Sequence, residues 1–418
     1  MRFTTPDLSD RPDSLRDRDR HRWLIVAAIV LTGLTMRVAV SSVGAVLDDA
    51  ETGLGLSSGA AGVITTLPVI AFAGIGYLGP RLAHRLGEHR VLAVALLAAT
   101  IGLALRATAG GIWSFGLLSM LALAGGALAN VLMPALVKRH FPDRIGTMTA
   151  VYTTALAIGT TTAAGLTVPI ADLGGHNWRF GIGSWAALTL LAILPWLPSL
   201  RADRPTPDDQ PARIPVSRMA RSRLAWALAL LFGSQSFQAY IAFGWFANFF
   251  RHHHIAATEA GLLVAFYSGL SIPISIVIPT LAVRRQRPLV ALLALAAVAS
   301  YVGMLLAPAG GAWLWMLLGG IGSGMFPLSL TMIGLRSRAA GSTAALSAFV
   351  QSAGYLLAGT GPLLVGLLLD LTDDWTWPLL MLLVAAALSA GFGWYAGRPR
   401  YVDDELAVAR STTRQSPG

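Results

Sequence analysis

The 418-residue chain contains no cysteine, which removes disulfides, thiol nucleophiles and cysteine-based metal sites and leaves the redox compartment unmarked. Charge is scarce too. Asp, Glu, Lys and Arg make up only 12 % of the residues, against roughly a quarter in a soluble globule. No glycine-rich phosphate loop with a lysine is present, so nothing supports ATP-driven pumping. The apolar segments hold no Ser/His/Asp or metal-hydrolase constellation, and the chain reads as a non-enzyme without cofactor or metal. The run His252-His253-His254 has no further ligands beside it and reads as loop rather than metal site. A cleavable signal is absent as well. The Arg- and Asp-rich residues 1–22 precede an apolar run too long for a signal core and lacking a small-residue cleavage pattern, so the first helix should stay as an anchor.

Apolar sequence is what the chain has in excess. Hydrophobic residues reach 55 % and the mean hydropathy is +0.62. A bilayer core of roughly 30 Å needs about 20 apolar residues at 1.5 Å each, and twelve such segments are predicted. They cover 23–46, 59–79, 91–107, 112–137, 145–171, 180–197, 224–250, 259–283, 289–307, 313–335, 341–369 and 378–397. The expected architecture is therefore all-α and integral to the membrane, with twelve transmembrane helices in two six-helix bundles.

The net charge of +10 does not signal nucleic acid, because the basic residues lie in short runs between apolar segments rather than on a soluble face. Their distribution gives orientation instead. With the N-terminus inside, 27 of 31 Lys and Arg fall in the tails and loops on one side, leaving Arg37, Arg106, Arg179 and Arg251. Positive residues are retained in the cytoplasm, so both termini are expected there, in the inner (plasma) membrane. The domains expected are a cytoplasmic tail 1–22, bundles 23–198 and 224–397 joined by a cytoplasmic linker 199–223 with four prolines, and a tail 398–418. The halves resemble each other. Gly125-Gly126 with Pro134 and a basic loop match Gly319-Gly320 with Pro327 and Arg336. Parallel six-helix repeats with a midplane site between them suit a secondary transporter.

An ionised side chain at membrane depth costs at least about 2.5–3.5 kcal/mol and marks a functional candidate. Arg37 lies 15 residues beyond Arg22, about 22 Å along a helix and still inside the core. Arg106 stands near its helix end and is expected to snorkel outward. All 21 acidic residues fall outside the central spans, eight of them at the outer face. No carboxylate is left to neutralise Arg37. Substrate contact, through charge-assisted hydrogen bonds to an anionic or strongly electronegative solute, is preferred over helix packing. Export of organic cations loses its usual carboxylate, as does proton carriage.

Neutral polar residues concentrate in particular helices, whereas the third, ninth and twelfth are nearly pure Leu, Ala and Val and are expected to face lipid. Asn130, Tyr152, Gln235, Gln238, Gln351 and Tyr355 join Arg37 as the candidate substrate site. Gln235 and Gln351 fall near the midplane, about 18 and 15 Å in at 1.5 Å per residue, and Gln238 shares Gln235's face at i+3. The competing role for each amide is interhelical glue.

Several stretches look familiar. Pro80-Arg81-Leu82-Ala83-His84-Arg85-Leu86-Gly87 resembles the G-x-L-a-D-R-x-G-R-R loop of the major facilitator superfamily, with Pro80, His84 and Glu88 departing from it. Arg85 and Gly87 are its candidate conformational residues. Met36-Arg37-Val38-Ala39-Val40-Ser41-Ser42-Val43-Gly44 resembles the first-helix motif L-R-P-A-I-T-S-V-G-P-L of the cyanate transporter and 2-nitroimidazole transporter family. Further matches are Ala129-Asn130 through Pro134, Phe141-Pro142-Asp143-Arg144, Tyr152-Thr153-Thr154, Leu346 through Tyr355 and Gly361-Pro362. The resemblance implies a monomeric carrier with one site for a small polar or anionic solute such as cyanate, a carboxylate or a nitroimidazole. It works by alternating access in the bilayer, without a nucleic-acid partner. Efflux of a toxic compound is the alternative, and a membrane-embedded solute sensor is the alternative of another class.

Overall fold

A computed structural model describes residues 13–54, 67–201 and 215–407. Most of the N-terminal tail, the start of the second expected span at 59, the body of the linker and the end of the C-terminal tail lie outside the described residues.

The described residues form twelve membrane helices. They are α1 (Arg22–Ala45), α2 (67–86), α3 (Glu88–Arg106), α4 (Ile112–His140), α5 (Pro142–Leu173), α6 (Trp178–Arg201), α7 (Arg223–His252), α8 (Glu259–Ala282), α9 (Gln286–Leu306), α10 (Ala312–Leu335), α11 (Ala340–Thr372) and α12 (Thr376–Ala396). Ten are long and apolar enough to cross a membrane. The other two are α2, which enters from undescribed residues, and α7, whose apolar run is interrupted by Gln235, Ser236 and Gln238. Every backbone polar group in lipid must be satisfied within its own segment, which is why these runs fold as helices.

Helices α1–α6 pack into one bundle and α7–α12 into another; between them α4 lies on α11, α2 on α11 and α5 on α8. The third, ninth and twelfth helices do turn Leu and Val outward, as at Val94, Leu97, Leu292, Leu295, Val384 and Leu388. Their inner faces differ from expectation, because Arg106, Tyr301 and Ser389 are buried there.

One helix breaks. The first part of α1 stops at Thr35 and the helix restarts at Val38 with Arg37 as its N-cap residue. Glycines on neighbouring helices make room for this. A Cβ at Gly126 of α4 would sit 2.6 Å from the Met36 carbonyl oxygen, and one at Gly159 of α5 would sit 1.9 Å from that of Leu34.

The end of the molecule that carries the Lys- and Arg-rich loops is tightly closed. Gly146 at the start of α5 lies where a Cβ would come 2.4 Å from Val283 and 2.8 Å from the Pro279 carbonyl oxygen of the other bundle. Lys138, near the end of α4, donates to the carbonyl of Gly334 at the end of α10, at 2.8 Å, and to that of Ser337 in the loop that follows. Residues 402–407 brace that acceptor loop, since Arg338 bonds Asp403 and Asp404, and Val402 N–H reaches the Arg336 carbonyl. The Arg338 hydrogen bond holds the Asp404 carboxyl below its usual pKa, so this pair stays charged through neutral pH. Toward the opposite end, a Cβ added at Gly44, Gly165, Gly244 or Gly261 would meet nothing within 4 Å, while Val69 of α2 still lies 2.6 Å from where one at Gly359 of α11 would sit.

Candidate substrate site

The break in α1 places Arg37 between the two bundles. Its Nη2 donates to the Tyr355 hydroxyl of α11 at 3.1 Å. Asn130 of α4 donates to the same oxygen at 3.4 Å, and its Nδ2 also reaches the Gln351 Oε1 at 2.5 Å. Gln351 Nε2 donates back to the Asn130 carbonyl at 3.3 Å and to Ser347 at 2.8 Å. Those two acceptors fix the Gln351 amide, which fixes Asn130 with its Oδ1 turned away from Gln351. Two donors occupy the Tyr355 oxygen, so its own proton is free to be given to a third group.

Aromatic rings surround this cluster. The Arg37 guanidinium carbon lies 6.0 Å from the ring centre of Phe72 and 5.4 Å from that of Phe326. Tyr355 packs 5.1 Å from Phe72 and 5.1 Å from Phe232. A cation in reach of ring faces is attracted by their quadrupoles, and a flat solute finds the same faces to stack on.

Three buried polar atoms here have no partner: Arg37 Nε, Asn130 Oδ1 and Tyr152 Oη. Buried polar groups are nearly always paired, and each unpaired one costs about 1–3 kcal/mol. A ligand can satisfy them. Among the described residues no Asp or Glu pairs with Arg37.

Of the residues expected from sequence, Arg37, Asn130, Gln351 and Tyr355 are joined in one network, with Tyr152 close to Tyr355. Gln235 and Gln238 are not part of it. Gln238 donates to Ser234 O and Ser389 Oγ and accepts from the Tyr301 hydroxyl at 3.1 Å, all within the second bundle. Gln235 donates to Ser236 Oγ and lines, with Gln238, Tyr267 and Tyr301, a separate cavity of about 20 Å³, room for about one water. Arg106 is a correction. Instead of snorkelling outward it is fully buried and turned onto α1, because the carbonyl of Ala39 and the hydroxyl of Ser42 offer it closer partners than the membrane surface. Phe72, Phe232 and Phe326 are the site residues that sequence reasoning missed, since a phenylalanine in an apolar helix carries no signal of which way it points. At the closed end, Gly87 adopts a positive φ of 92° between α2 and α3, a conformation glycine takes without strain. Arg85 is exposed beside it.

Residues 24–359 match the Major Facilitator Superfamily. The chain belongs to that superfamily. Over 389 residues it is 38 % identical to an uncharacterized transporter of Bacillus subtilis (strain 168), covering 91 % of this chain and 94 % of that one. It is 33 % identical to the 2-nitroimidazole transporter of Escherichia coli (strain K12), over 92 % of this chain and 98 % of the relative. With the cyanate transport protein of the same strain identity is 26 %, over 84 % and 91 %. Among solved structures, the proton:xylose symporter bound to 6-bromo-6-deoxy-D-glucose superposes with a TM-score of 0.74 at 16 % identity, covering 93 % of this chain and 99 % of that one. This major facilitator protein is therefore a multi-pass membrane transporter of small solutes, in the group of the cyanate and 2-nitroimidazole transporters, and not an enzyme.

Proposed function

We propose that this major facilitator protein carries a small planar anion, or a planar solute with a strong acceptor such as a nitro group, by alternating access about the Arg37 site. The observation that carries this reading is the Arg37 to Tyr355 bond. It joins the two bundles in an aromatic surround where no carboxylate neutralises the guanidinium. A bound anion would take the Arg37 Nε–H and the free Tyr355 and Tyr152 hydroxyl protons, while Asn130 Oδ1 would accept from a solute N–H or O–H. Charge-assisted bonds of this kind are about twice as strong as neutral ones. By the excess of Lys and Arg at the closed end, that end is cytoplasmic, both termini lie there, and the conformation is outward-facing in the inner membrane. The moving bodies would be 23–198 and 224–397, tethered by 199–223, with tails 1–22 and 398–418, and Arg85 and Gly87 would act in the inner loop. A solute drives rocking only through different affinities for the two states, and drawing Tyr355 and Arg37 onto one ligand supplies such a difference. Without an embedded carboxylate the carrier would run as a facilitator or exchanger, or move a proton on the solute itself. The kinship with the 2-nitroimidazole and cyanate transporters agrees with this chemistry.

The test is uptake of radiolabelled cyanate, benzoate and 2-nitroimidazole into proteoliposomes by wild type and Arg37→Gln, reconstituted at equal amounts. Saturable uptake of at least one probe, lost in the variant, is the expected result. Unchanged uptake in Arg37→Gln would remove the anion site. Binding of a probe without any uptake would favour a sensor.

A further inference from the structure

We infer that Arg106 is a positioning residue for Arg37, acting through the outer segment of α1 without touching the solute. This rests on the reading of Arg37 as the anion-binding group. The side chain of Arg106 is fully buried and reaches from the end of α3 to α1 with both terminal nitrogens. Nη1 donates to the Ala39 carbonyl at 2.9 Å and Nη2 to the Ser42 hydroxyl at 2.7 Å. Ser42 in turn donates to the Val38 carbonyl at 2.6 Å. The chain of bonds therefore ends on the residue that follows Arg37.

The segment held in this way needs holding. Val38–Ala45 is eight residues long and cut off from the rest of α1 by the break at Met36 and Arg37. Two turns of isolated helix are not stable by themselves, and Arg37 caps this one with no side-chain hydrogen bond. The break frees the guanidinium of Arg37 to point between the bundles, but it also interrupts the backbone ladder on the N-terminal side of Arg37, whose direction then depends on the short segment its carbonyl joins, through Val40 and Ser41 N–H at 3.0 Å. Arg106 holds that segment from the side. A hydrocarbon side chain of similar length would fill the space without grasping two acceptors three residues apart, and the planar fork of arginine can grasp both. Leaving a cation in the bundle with no carboxylate partner is costly, so a packing role alone accounts poorly for it.

Two readouts separate positioning from general support of the fold. The first needs no ligand. The protein lacks cysteine, and Gly44 and Gly165 have open space where a Cβ would go. Spin labels on Gly44→Cys and Gly165→Cys report the distance from the outer segment of α1 to α5 inside one bundle, which rocking of the bundles does not alter. Wild type should give a narrow distribution. Arg106→Gln should at least double its width, with Ser42→Ala intermediate. The second is uptake of the probe that wild type carries in the experiment above. Arg106→Gln should raise KM about tenfold, the scale expected when a binding group is misplaced by less than about 1 Å, while the maximal rate per folded protein stays within twofold. Arg106→Lys keeps the charge but only one point of attachment, and should fall between.

An unchanged distance distribution in Arg106→Gln overturns the proposal. So does a lowered maximal rate with KM intact, the pattern of a protein that is merely less well folded. If Arg37→Gln itself leaves uptake unchanged, it is the anion-site reading that fails, and the distance measurement alone then decides whether Arg106 clamps α1.

Discussion

Removing the guanidinium of Arg37 takes away at least one charge-assisted hydrogen bond, about 1.5–3 kcal/mol, so Arg37→Gln should raise KM for an anionic probe at least about tenfold. Arg37→Lys should rescue it poorly, because an ammonium cannot offer the parallel donors of a fork. Gln238→Leu should behave in the opposite way. It orphans the Tyr301 hydroxyl and takes from Ser389 the donor to its oxygen, leaving only that hydroxyl's bond to the Ala385 carbonyl, lowering thermal stability by about 1–2 kcal/mol, and should leave KM unchanged. These two variants also mark what was legible at this scale. A charge or amide in an apolar run is visible in sequence, and its depth follows from 1.5 Å per residue. Its direction around the helix is not visible, which is why Gln351 and Gln238, alike in sequence, lie one at the bundle interface and the other among α7, α9 and α12. Arg106 was misread for a related reason: nearness to a helix end permits snorkelling but does not reveal that Ala39 and Ser42 are waiting on the neighbouring helix.

At the scale of the helix, length and hydropathy were sufficient to find the membrane segments, because lipid imposes one solution on every apolar run. The break in α1 was hidden. It has no proline at Met36 or Arg37 and is accommodated by glycines far away in sequence, Gly126 and Gly159. Gly159→Ala tests this dependence directly. Its methyl group would overlap the Leu34 carbonyl, at 1.9 Å, and should cost about 1–3 kcal/mol as overpacking, seen as a lower melting temperature of the purified protein. Gly146→Val tests the seam between bundles. Its side chain would strike Val283 and the Pro279 carbonyl only while the basic end is closed, so it should raise the reactivity of a cysteine placed at that seam by favouring the open arrangement.

For the whole molecule, the internal likeness of the two halves announced paired bundles, but not what holds them together at one end. Lys138→Gln should lose bonds from a charged donor to two carbonyls, about 1–3 kcal/mol, and move the balance between the two open states by roughly 5- to 150-fold. Distances between labels on the two bundles would report it. The acceptors of Lys138 are backbone carbonyls, Gly334 at the end of α10 and Ser337 just after it. Almost any residue at those two positions would present the same oxygens, so half of this fastening is indifferent to substitution and leaves no trace in the sequence. The side chain that fastens this seam by hydrogen bonds is thus exposed to mutation where its acceptors are not, and a single codon change at 138 would retune which face the transporter shows to the world without disturbing the site it serves.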